Sequence, residues 1–116
     1  MDIRIIKEPI SLKELAEIAR GQFGDLVKAV VDIEKEIMAI GGELHADEEA
    51  VLLQQASKQD NLWGINLYPE LGQEELIEFD SFINIRPSQN NRSRSVENPE
   101  IRERIIDIVN KLVIYE

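Results

Sequence analysis

His45, the only histidine in the chain, lies between two carboxylates in the run Glu43-Leu44-His45-Ala46-Asp47. If this run is extended, the side chains of Glu43, His45 and Asp47 point to the same side. A carboxylate beside an imidazole raises the pKa of the imidazole and orients its ring, as a general base or a metal ligand requires. Glu43 and His45 are therefore candidate catalytic residues. The alternative is structural: His45 joins a strand end to a helix that has Asp47 as its N-cap.

A second group of polar side chains lies in the predicted strand from Ile77 to Arg86. Alternation along an extended strand puts four side chains on the core face, those of Ile77, Phe79, Ile83 and Ile85. The other face then carries Glu78, Asp80, Phe82, Asn84 and Arg86, and Asn66 of the preceding strand joins it. Asp80 is predicted to be catalytic, and Asn66, Asn84 and Arg86 are predicted to bind a ligand. The alternative is a water-facing sheet surface with ordinary cross-strand pairs.

A third candidate is the loop rich in Asn, Ser and Arg that follows this strand. Residues 83–95 contain Arg86, Arg92 and Arg94 and no acidic side chain, in a chain whose net charge is −10. Guanidinium groups just before a helix N-terminus are well placed to bind an anion. The sequence therefore predicts that Arg92 and Arg94 bind a ligand together with Arg86. The alternative is weak pairing of these arginines with surface carboxylates.

Together these patterns predict one concave polar face, formed by Glu43, His45, Asn66, Asp80, Asn84 and Arg86. An oxygen-rich cluster with one imidazole suits Mg²⁺ or Mn²⁺ better than Zn²⁺, because the chain has no cysteine. The sequence itself identifies neither a metal nor a cofactor. Whether His45 and Asp80 share a face decides whether they can act together.

The elements that must position these residues follow from hydrophobic spacing and cap signals. Residues 3–6 predict an edge strand, and Ser11 with Glu14 predicts a capping box at the start of a helix. Residues 26–40 fit either a hairpin or a single helix, and their many β-branched residues favour a hairpin with strands at about 26–33 and 36–45. Gly41 and Gly42 would then bend the second strand.

The second half of the chain continues the alternation of hairpins and helices. A short helix follows Asp47, a strand spans residues 62–68, and Asn98 and Pro99 start a last helix. That helix carries an apolar stripe formed by Ile101, Ile105, Ile108 and Leu112. The order of elements predicts a single α+β domain over residues 1–116, with an antiparallel sheet of about four to five strands and about three helices, mainly on one face.

The composition fits one soluble domain and excludes several classes of protein. With 13 Lys and Arg against 23 Asp and Glu, the net charge of −10 opposes general binding to nucleic acid or anionic lipid. The absence of cysteine excludes disulfide frameworks and thiol catalysis. Because the sequence shows no apolar run of membrane length and no signal-peptide core, the expected location is the cytoplasm.

Three segments of the chain resemble one family. They are Ile40-Gly41-Gly42-Glu43-Leu44-His45-Ala46-Asp47-Glu48-Glu49 with the run before it, Leu62-Trp63-Gly64-Ile65-Asn66-Leu67-Tyr68-Pro69, and Ile83-Asn84-Ile85-Arg86-Pro87-Ser88-Gln89-Asn90-Asn91-Arg92-Ser93. They are similar to a family of small bacterial and archaeal proteins classified as a domain of unknown function. The resemblance covers nearly the whole chain and implies no activity, cofactor or mechanism. One departure is Ala56, where relatives often carry Gly before Ser57, which implies a slightly strained turn.

The leading functional interpretation is a non-enzymatic binding or regulatory module. Its polar face would take a small anion or a protein partner, and the sequence leaves a homo-oligomer open. The alternative is a small metal-dependent hydrolase or phosphoryl-handling enzyme that uses His45 and Asp80 together with Glu43. A nucleic-acid partner bound through Arg86, Arg92 and Arg94 is disfavoured by the total charge.

Overall fold

The computed structural model describes residues 2–115 of the chain. Over this range it consists of a five-stranded antiparallel sheet, a separate two-stranded sheet and three α-helices. In chain order the elements are β1 (Arg4–Ile6), β2 (Ile10–Ser11), α1 (Leu12–Arg20), β3 (Val27–Asp32), β4 (Ile37–Ile40), α2 (His45–Gln54), β5 (Leu62–Leu67), β6 (Ile77–Glu78), α3 (Pro99–Leu112) and β7 (Val113–Ile114). The α+β fold predicted from the sequence is confirmed.

The main sheet has the strand order β1-β4-β3-β5-β6, and every neighbouring pair is antiparallel. β1 is an edge strand, as predicted, and β6 forms the other edge. β2 and β7 pair in parallel as the small second sheet, with Ile10 opposite Val113. The main sheet therefore has β3 at its centre, with the long strand β5 beside it.

Residues 27–40 form a hairpin, which decides between the two interpretations of this segment. β3 and β4 pair over four residue pairs. The turn between them contains no glycine or asparagine; instead, the Asp32 carboxylate accepts hydrogen bonds from the backbone N–H groups of Glu34 and Lys35, both at 2.9 Å. Glu36 completes the turn with a φ of 57°. A buried carboxylate thus stabilises a turn whose composition gives only a weak signal.

α1 and α3 begin where the capping residues predict. Ser11 Oγ accepts a hydrogen bond from Glu14 N at 3.0 Å, and Asn98 Oδ1 accepts one from Glu100 N at 2.8 Å. The Glu14 carboxylate is 2.7 Å from the Arg4 guanidinium, so it ties α1 to β1 rather than reaching back to the cap. Within residues 2–115, none of the helices is both long enough and apolar enough to cross a bilayer.

α2 begins at His45, two residues before the predicted Asp47, and β4 ends before Gly41. Gly41 has a φ of 93°, so it turns the chain out of the sheet instead of bending a continuing strand. The extended arrangement expected for residues 43–47 is therefore wrong. At the other end of α2, Ala56 has a φ of 71°, so the strained turn expected there is present.

Apolar clusters cover both faces of the main sheet. On one face α1 and α3 pack against the central strands, in a large cluster that includes Leu15, Ala19, Ala29, Val31, Trp63, Ile65, Ile105 and Leu112. On the other face α2 packs through Leu52 against Val30, Ala39 and Leu62. Two of the three helices thus share one face, while α2 alone covers the other.

The predicted strand over residues 77–86 is wrong beyond Glu78, where β6 ends. The chain instead forms a 3₁₀ turn at Phe82–Asn84. Ser81 starts this turn, because its Oγ accepts a hydrogen bond from Ile83 N at 3.2 Å. A hydrogen bond between a side chain and the nearby backbone therefore ends the strand, although the alternation of apolar and polar residues continues beyond it.

The end of β6 separates side chains that were expected to share the core face. Phe79 packs against the large cluster together with α3, whereas Ile83 packs against the small cluster on the opposite face. Ile85 is 42% exposed. The core-face prediction is therefore right for Phe79 and wrong for Ile83 and Ile85.

Candidate functional site

The N-terminus of α2 carries unpaired backbone donors. Leu44 occupies the N-cap position, and its side chain makes no capping hydrogen bond. The N–H group of Asp47 bonds back to the Leu44 carbonyl at 3.1 Å, whereas those of His45 and Ala46 have no acceptor among the described residues. Free N–H groups and the helix dipole together attract negative charge. This end of α2 is therefore suited to an anionic group.

The His45 ring is buried between α2 and β5, with its Nε2 atom 2.8 Å from the Ile65 carbonyl oxygen. Because a carbonyl only accepts, Nε2 carries the proton and Nδ1 holds the free lone pair of the neutral ring. Burial lowers the pKa of His45; the Ile65 carbonyl opposes this effect and the charge of Lys28 adds to it. His45 is therefore neutral at pH 7, and burial outweighs the effect of Asp80, the carboxylate that raises its pKa.

Glu48 lies one helical turn after His45 and is fully buried. Its Oε2 accepts a hydrogen bond from Gly42 N at 2.9 Å, while Oε1 has no partner. A Cβ on Gly42 would lie 2.8 Å from Glu48 Cγ, so glycine makes room for the carboxyl group. Burial raises the pKa of Glu48 to about 9, against the opposing effects of the Gly42 N–H group and Lys28. At neutral pH Glu48 therefore keeps a proton, and Oε1 can donate it in a hydrogen bond.

Lys28 on β3 and Asn66 on β5 are cross-strand partners on the face covered by α2. Asn66 Nδ2 donates to Glu78 Oε1 at 2.8 Å, but the buried Asn66 Oδ1 has no hydrogen-bond partner. The Lys28 ammonium lies 5.2 Å from the centroid of the Phe23 ring. Among residues 2–115 no carboxylate lies within ion-pair distance of it. We call Lys28, His45, Glu48 and Asn66 the inner polar cluster.

An open groove of about 600 Å³ is lined by Gly21, Gln22, Phe23, Glu43 and Leu44. Two of these residues connect it to the inner polar cluster: the Phe23 ring is 5.2 Å from the Lys28 ammonium, and Leu44 precedes His45 in the chain. Gln22 Nε2 donates to the Gly41 carbonyl at 2.8 Å and so joins the two loops that form the walls; its buried Oε1 has no partner. The rim is apolar, since Phe23 is 42% and Leu44 57% exposed. We call this groove, with the start of α2 and the inner polar cluster, the α2 groove.

Asp80 lies on the same side of the sheet as His45, since its charge acts on the pKa of His45 and its carbonyl is 3.4 Å from Asn66 Nδ2. Its carboxylate forms a two-point ion pair with Arg94, with Nε–Oδ1 at 2.7 Å and Nη2–Oδ2 at 3.2 Å. Within residues 2–115 no three His, Asp or Glu side chains are grouped as a metal site requires. The structure thus brings His45 and Asp80 to one side without a ligand set for Mg²⁺ or Mn²⁺.

Asn84 is fully buried, and its side chain bonds to the backbone. Its Oδ1 accepts from Gly64 N at 2.8 Å, and its Nδ2 donates to the carbonyls of Gly64 at 2.9 Å and Arg94 at 3.0 Å. This approach requires glycine at position 64, because a Cβ there would lie 2.5 Å from Ser81 Cβ and 3.2 Å from the His45 ring. Asn84 therefore holds the 3₁₀ turn against β5.

Arg86 lies at the far end of β5 from the α2 groove. Its guanidinium lies 4.4 Å from the centroid of the Trp63 ring. It also donates to three backbone carbonyls, those of Gln59, Leu62 and Ile83. Arg86 therefore does not converge with the inner polar cluster, and it holds the 3₁₀ turn and the start of β5 together.

In the Arg-rich loop, carboxylates of the chain itself bind the groups that were expected to bind an anion. The Glu97 carboxylate accepts hydrogen bonds from Arg92 N at 2.9 Å and Ser93 N at 2.8 Å. Hydrogen bonds from the side chain and backbone of Ser93, with that of Arg92 N, lower the pKa of Glu97. Arg94 pairs with Asp80 and lies 4.2 Å from the centroid of the Phe82 ring. Carboxylates of the chain thus already occupy the backbone donors and the Arg94 guanidinium predicted to bind an anion.

Asn91 anchors this loop from within, and only 3% of it is exposed. Its Nδ2 donates to the carbonyls of Asn84 at 2.7 Å, Ser93 at 3.1 Å and Ser95 at 2.7 Å. Its Oδ1 accepts from Glu97 N at 2.8 Å. We call residues 84–97 the Asn91 loop. Its polar composition serves the folding of the loop itself.

The α2 groove and the inner polar cluster contain some of the residues singled out in the sequence and others that were not. Of the six residues predicted to converge, the structure places Glu43 on the groove wall and His45 and Asn66 in the inner polar cluster, with Asp80 beside Asn66. Lys28 and Glu48 were missed. The signal for Lys28 is a lysine among apolar residues of a buried strand. The signal for Glu48 is its helical spacing from His45, which can be recognised only once α2 is known to start at His45.

Comparisons with known proteins give a family match that spans nearly all of the described fold. Searches of curated proteins and of solved structures return no match to the chain. A family model described as "Protein of unknown function (DUF5674)" matches residues 4–112, which include every helix and all strands but β7. The chain therefore belongs to this family of proteins of unknown function.

Proposed function

We propose that the protein is a binding module for a small molecule and that the ligand occupies the α2 groove. This proposal keeps the binding-module interpretation of the sequence but moves its site away from Asn84, Arg86 and the Asn91 loop. The observation that carries it is the presence of buried oxygen atoms without partners, Glu48 Oε1 and Asn66 Oδ1, beside the unpaired ammonium of Lys28.

Unpaired buried polar atoms are informative because folded proteins rarely keep them. More than about nine in ten buried polar groups have a hydrogen-bond partner, and each one left without a partner costs roughly 1–3 kcal/mol. One such atom, Gln22 Oε1, belongs to a residue that lines the groove, and two more, Glu48 Oε1 and Asn66 Oδ1, belong to the inner polar cluster. A ligand that pairs with them recovers this cost on binding, which is how a preformed site gains affinity.

The hydrolase alternative receives less support from the same geometry. The Ile65 carbonyl holds the Nε2 proton of His45 and leaves Nδ1 as its basic atom, but the Asp80 carboxylate that would act with it is held by Arg94. A general base or a metal ligand must have its reactive atom directed at the substrate or metal. Three of the buried side-chain atoms without partners are the amide and carboxyl oxygens Gln22 Oε1, Asn66 Oδ1 and Glu48 Oε1, which are suited to recognition; Glu49 Oε2 and Trp63 Nε1 also lack partners.

A thermal-shift screen with small metabolites tests the proposal, because a ligand that binds only the folded state raises the melting temperature. The screen compares the wild type with Lys28→Met, which removes the groove ammonium but keeps most of its apolar stem. Lys58→Met is the matched control, since Lys58 is exposed beyond the C-terminal end of α2. We expect compounds that stabilise the wild type and the Lys58→Met variant and lose most of their effect on Lys28→Met.

Two results of this screen would contradict the proposal. If every stabilising compound acts on Lys28→Met as strongly as on the other two proteins, the ligand does not occupy the α2 groove. If no compound in a broad set shifts the wild type, the binding-module proposal loses its support.

A further inference from the structure

We propose that two copies of the chain associate about a two-fold axis, with Phe82 of each copy inserted between Phe23 and Leu44 at the rim of the other copy's α2 groove. This contact lies beyond the proposed function, because it needs no small molecule. Three features support it: an exposed aromatic side chain that the fold holds in place, an apolar groove on the same surface, and opposite charges on the two parts.

Phe82 projects from the 3₁₀ turn that follows β6. At 72% it is the most exposed large apolar side chain among the described residues. The turn itself is held firmly, because Ser81 Oγ bonds to Ile83 N at 3.2 Å and the buried Asn84 side chain bonds to the backbone of β5. Burying Phe82 in a contact therefore costs little chain entropy. The Arg94 guanidinium lies 4.2 Å from the centroid of the Phe82 ring, and we call these two side chains the Phe82 knob.

The rim of the α2 groove is the matching surface. Phe23 is 42% and Leu44 57% exposed, and both line the open volume of about 600 Å³. A cavity of about 150 Å³ is enough to hold a benzene ring. The groove therefore accommodates the Phe82 ring and keeps space for a small molecule. The contact removes from water apolar surface that each separate copy exposes at Phe23, Leu44 and Phe82.

The Phe82 knob and the groove rim lie close together on one surface of the chain. The position of a Cβ on Gly64 would be 2.6 Å from Ser81 Oγ and 3.2 Å from His45 Cδ2, so these two side chains are neighbours. Phe82 follows Ser81, and Leu44 precedes His45. A two-fold axis between a knob and a groove so close together makes the same contact twice. Because the chain carries both surfaces, a second copy is the partner that fits them.

Opposite charges favour the contact in a chain that is acidic overall. With a net charge of −10, two copies repel each other at long range. The knob carries the Arg94 side chain, which is 49% exposed although it pairs with Asp80. The groove side carries the exposed carboxylates of Glu43 and Asp47. Each knob thus brings a cation to the acidic rim of the other copy, which opposes the general repulsion and sets the orientation.

Sedimentation velocity of the full chain, at concentrations from about 1 μM to 1 mM, tests the proposal. Two contacts of this size form a weak, reversible interface, so we expect a monomer–dimer equilibrium with a Kd in the micromolar range. Phe82→Ala and Leu44→Asp should each raise the Kd at least about thirtyfold, since each substitution acts twice in a two-fold dimer. Ile114→Asp is the control at an exposed apolar residue of β7 and should leave the Kd unchanged.

An equimolar mixture of Phe82→Ala and Leu44→Asp identifies which surfaces meet. Each variant alone has lost both contacts of the dimer. A mixed pair keeps one contact, because the Leu44→Asp chain still has its knob and the Phe82→Ala chain still has its groove. We expect the mixture to dimerise at concentrations at which each variant alone is monomeric. If the mixture stays monomeric while the wild type dimerises, Phe82 does not occupy the groove of the other copy.

Charge reversal at the groove wall tests the orientation. Glu43→Lys places a cation opposite Arg94 and should raise the Kd at least about threefold. Glu103→Lys changes the net charge equally on the exposed side of α3 and should not raise it. Equal effects of the two variants would overturn the charge pairing. A wild type that stays monomeric at about 1 mM would overturn the dimer. The thermal-shift screen would still test the groove as a small-molecule site, so the two proposals can fail separately.

Discussion

The Asn91 loop and the inner polar cluster are both rich in polar side chains, but they differ in how their atoms are paired. In the Asn91 loop, Asn91 and Asn84 bond to backbone groups through both amide atoms, and Glu97 fills the backbone donors of Arg92 and Ser93. In the inner polar cluster, Glu48 and Asn66 each keep a buried oxygen without a partner. Polar composition points to both regions, and only the pairing of atoms separates a structural network from a candidate site.

The largest expected effect is on the paired region. Asn91→Ala removes four hydrogen bonds to backbone groups, of which one is buried and three are partly buried. We expect a loss of about 3–5 kcal/mol in the free energy of unfolding, measured by urea denaturation. Asn90→Gly is the neighbouring control: Asn90 is exposed with a φ of 59°, which glycine adopts freely, so stability should change little. A loss below about 1 kcal/mol in Asn91→Ala would show that the network does not hold the loop.

The second effect is on the unpaired region and depends on pH. The folded state holds the Glu48 proton up to about pH 9, and the unfolded state releases it near pH 4.5. Between these values the folded state binds more protons, so the free energy of unfolding falls as pH rises, with a slope approaching about 1.4 kcal/mol per pH unit. Glu48→Gln cannot release a proton and should be more stable than the wild type at pH 8.

Denaturation curves at several pH values measure this difference, and Glu103→Gln on the exposed side of α3 is the control. The gap between Glu48→Gln and the wild type should widen from pH 6 to pH 9. His45 acts in the opposite direction: because burial lowers its pKa from 6.5, its contribution to stability is lost as pH falls below that value. A pH-independent difference between Glu48→Gln and the wild type would show that Glu48 is ionised when folded.

A smaller effect should follow from supplying the missing cap of α2. Leu44 is an exposed N-cap residue without a capping bond, and Leu44→Ser offers an oxygen to the free N–H groups. We expect a gain of about 0.5–1 kcal/mol in the free energy of unfolding and weaker binding of the groove ligand. If Leu44→Ser binds the ligand as well as the wild type does, those N–H groups do not belong to the site.

The smallest effect concerns the other end of the same helix. Ala56 adopts a φ of 71°, and Ala56→Gly relieves that strain, for an expected gain of about 0.5–1 kcal/mol in thermal or urea denaturation. Because Ala56 lies at the opposite end of α2 from the groove, ligand affinity should not change. A change in affinity as large as that of Leu44→Ser would mean that both variants act through helix stability alone.

Local signals predicted much of the fold. Ser11 and Asn98 start α1 and α3 as their types predict, because a capping bond needs only neighbours in sequence. The hairpin of β3 and β4 was favoured by its β-branched residues. The end of β6 was not predictable in this way, since it depends on Asn84 reaching Gly64, a residue twenty positions away in the sequence.

The candidate site was harder to predict from the sequence than the fold, because it also depends on contacts between residues far apart in the chain. His45 and Asn66 were singled out because their types are chemically distinctive, and the structure places both in the inner polar cluster. Lys28 and Glu48 could not be selected from the sequence, because they come together only when α2 packs on β3. That packing also removes the Glu48 carboxyl group from water. Arg86 lies apart from the inner polar cluster and bonds to backbone carbonyls, which no residue pattern reveals.

The small parallel sheet has a consequence for the order in which the chain folds. β2 precedes α1 and β7 follows α3, so pairing of Ile10 with Val113 closes a loop that contains almost all the other elements. Closing so long a loop costs more chain entropy than closing the β3–β4 hairpin, and it can occur only once α3 has packed. The amide protons of β2 and β7 should therefore gain protection from hydrogen exchange after those of β3 and β5, as the final step of folding.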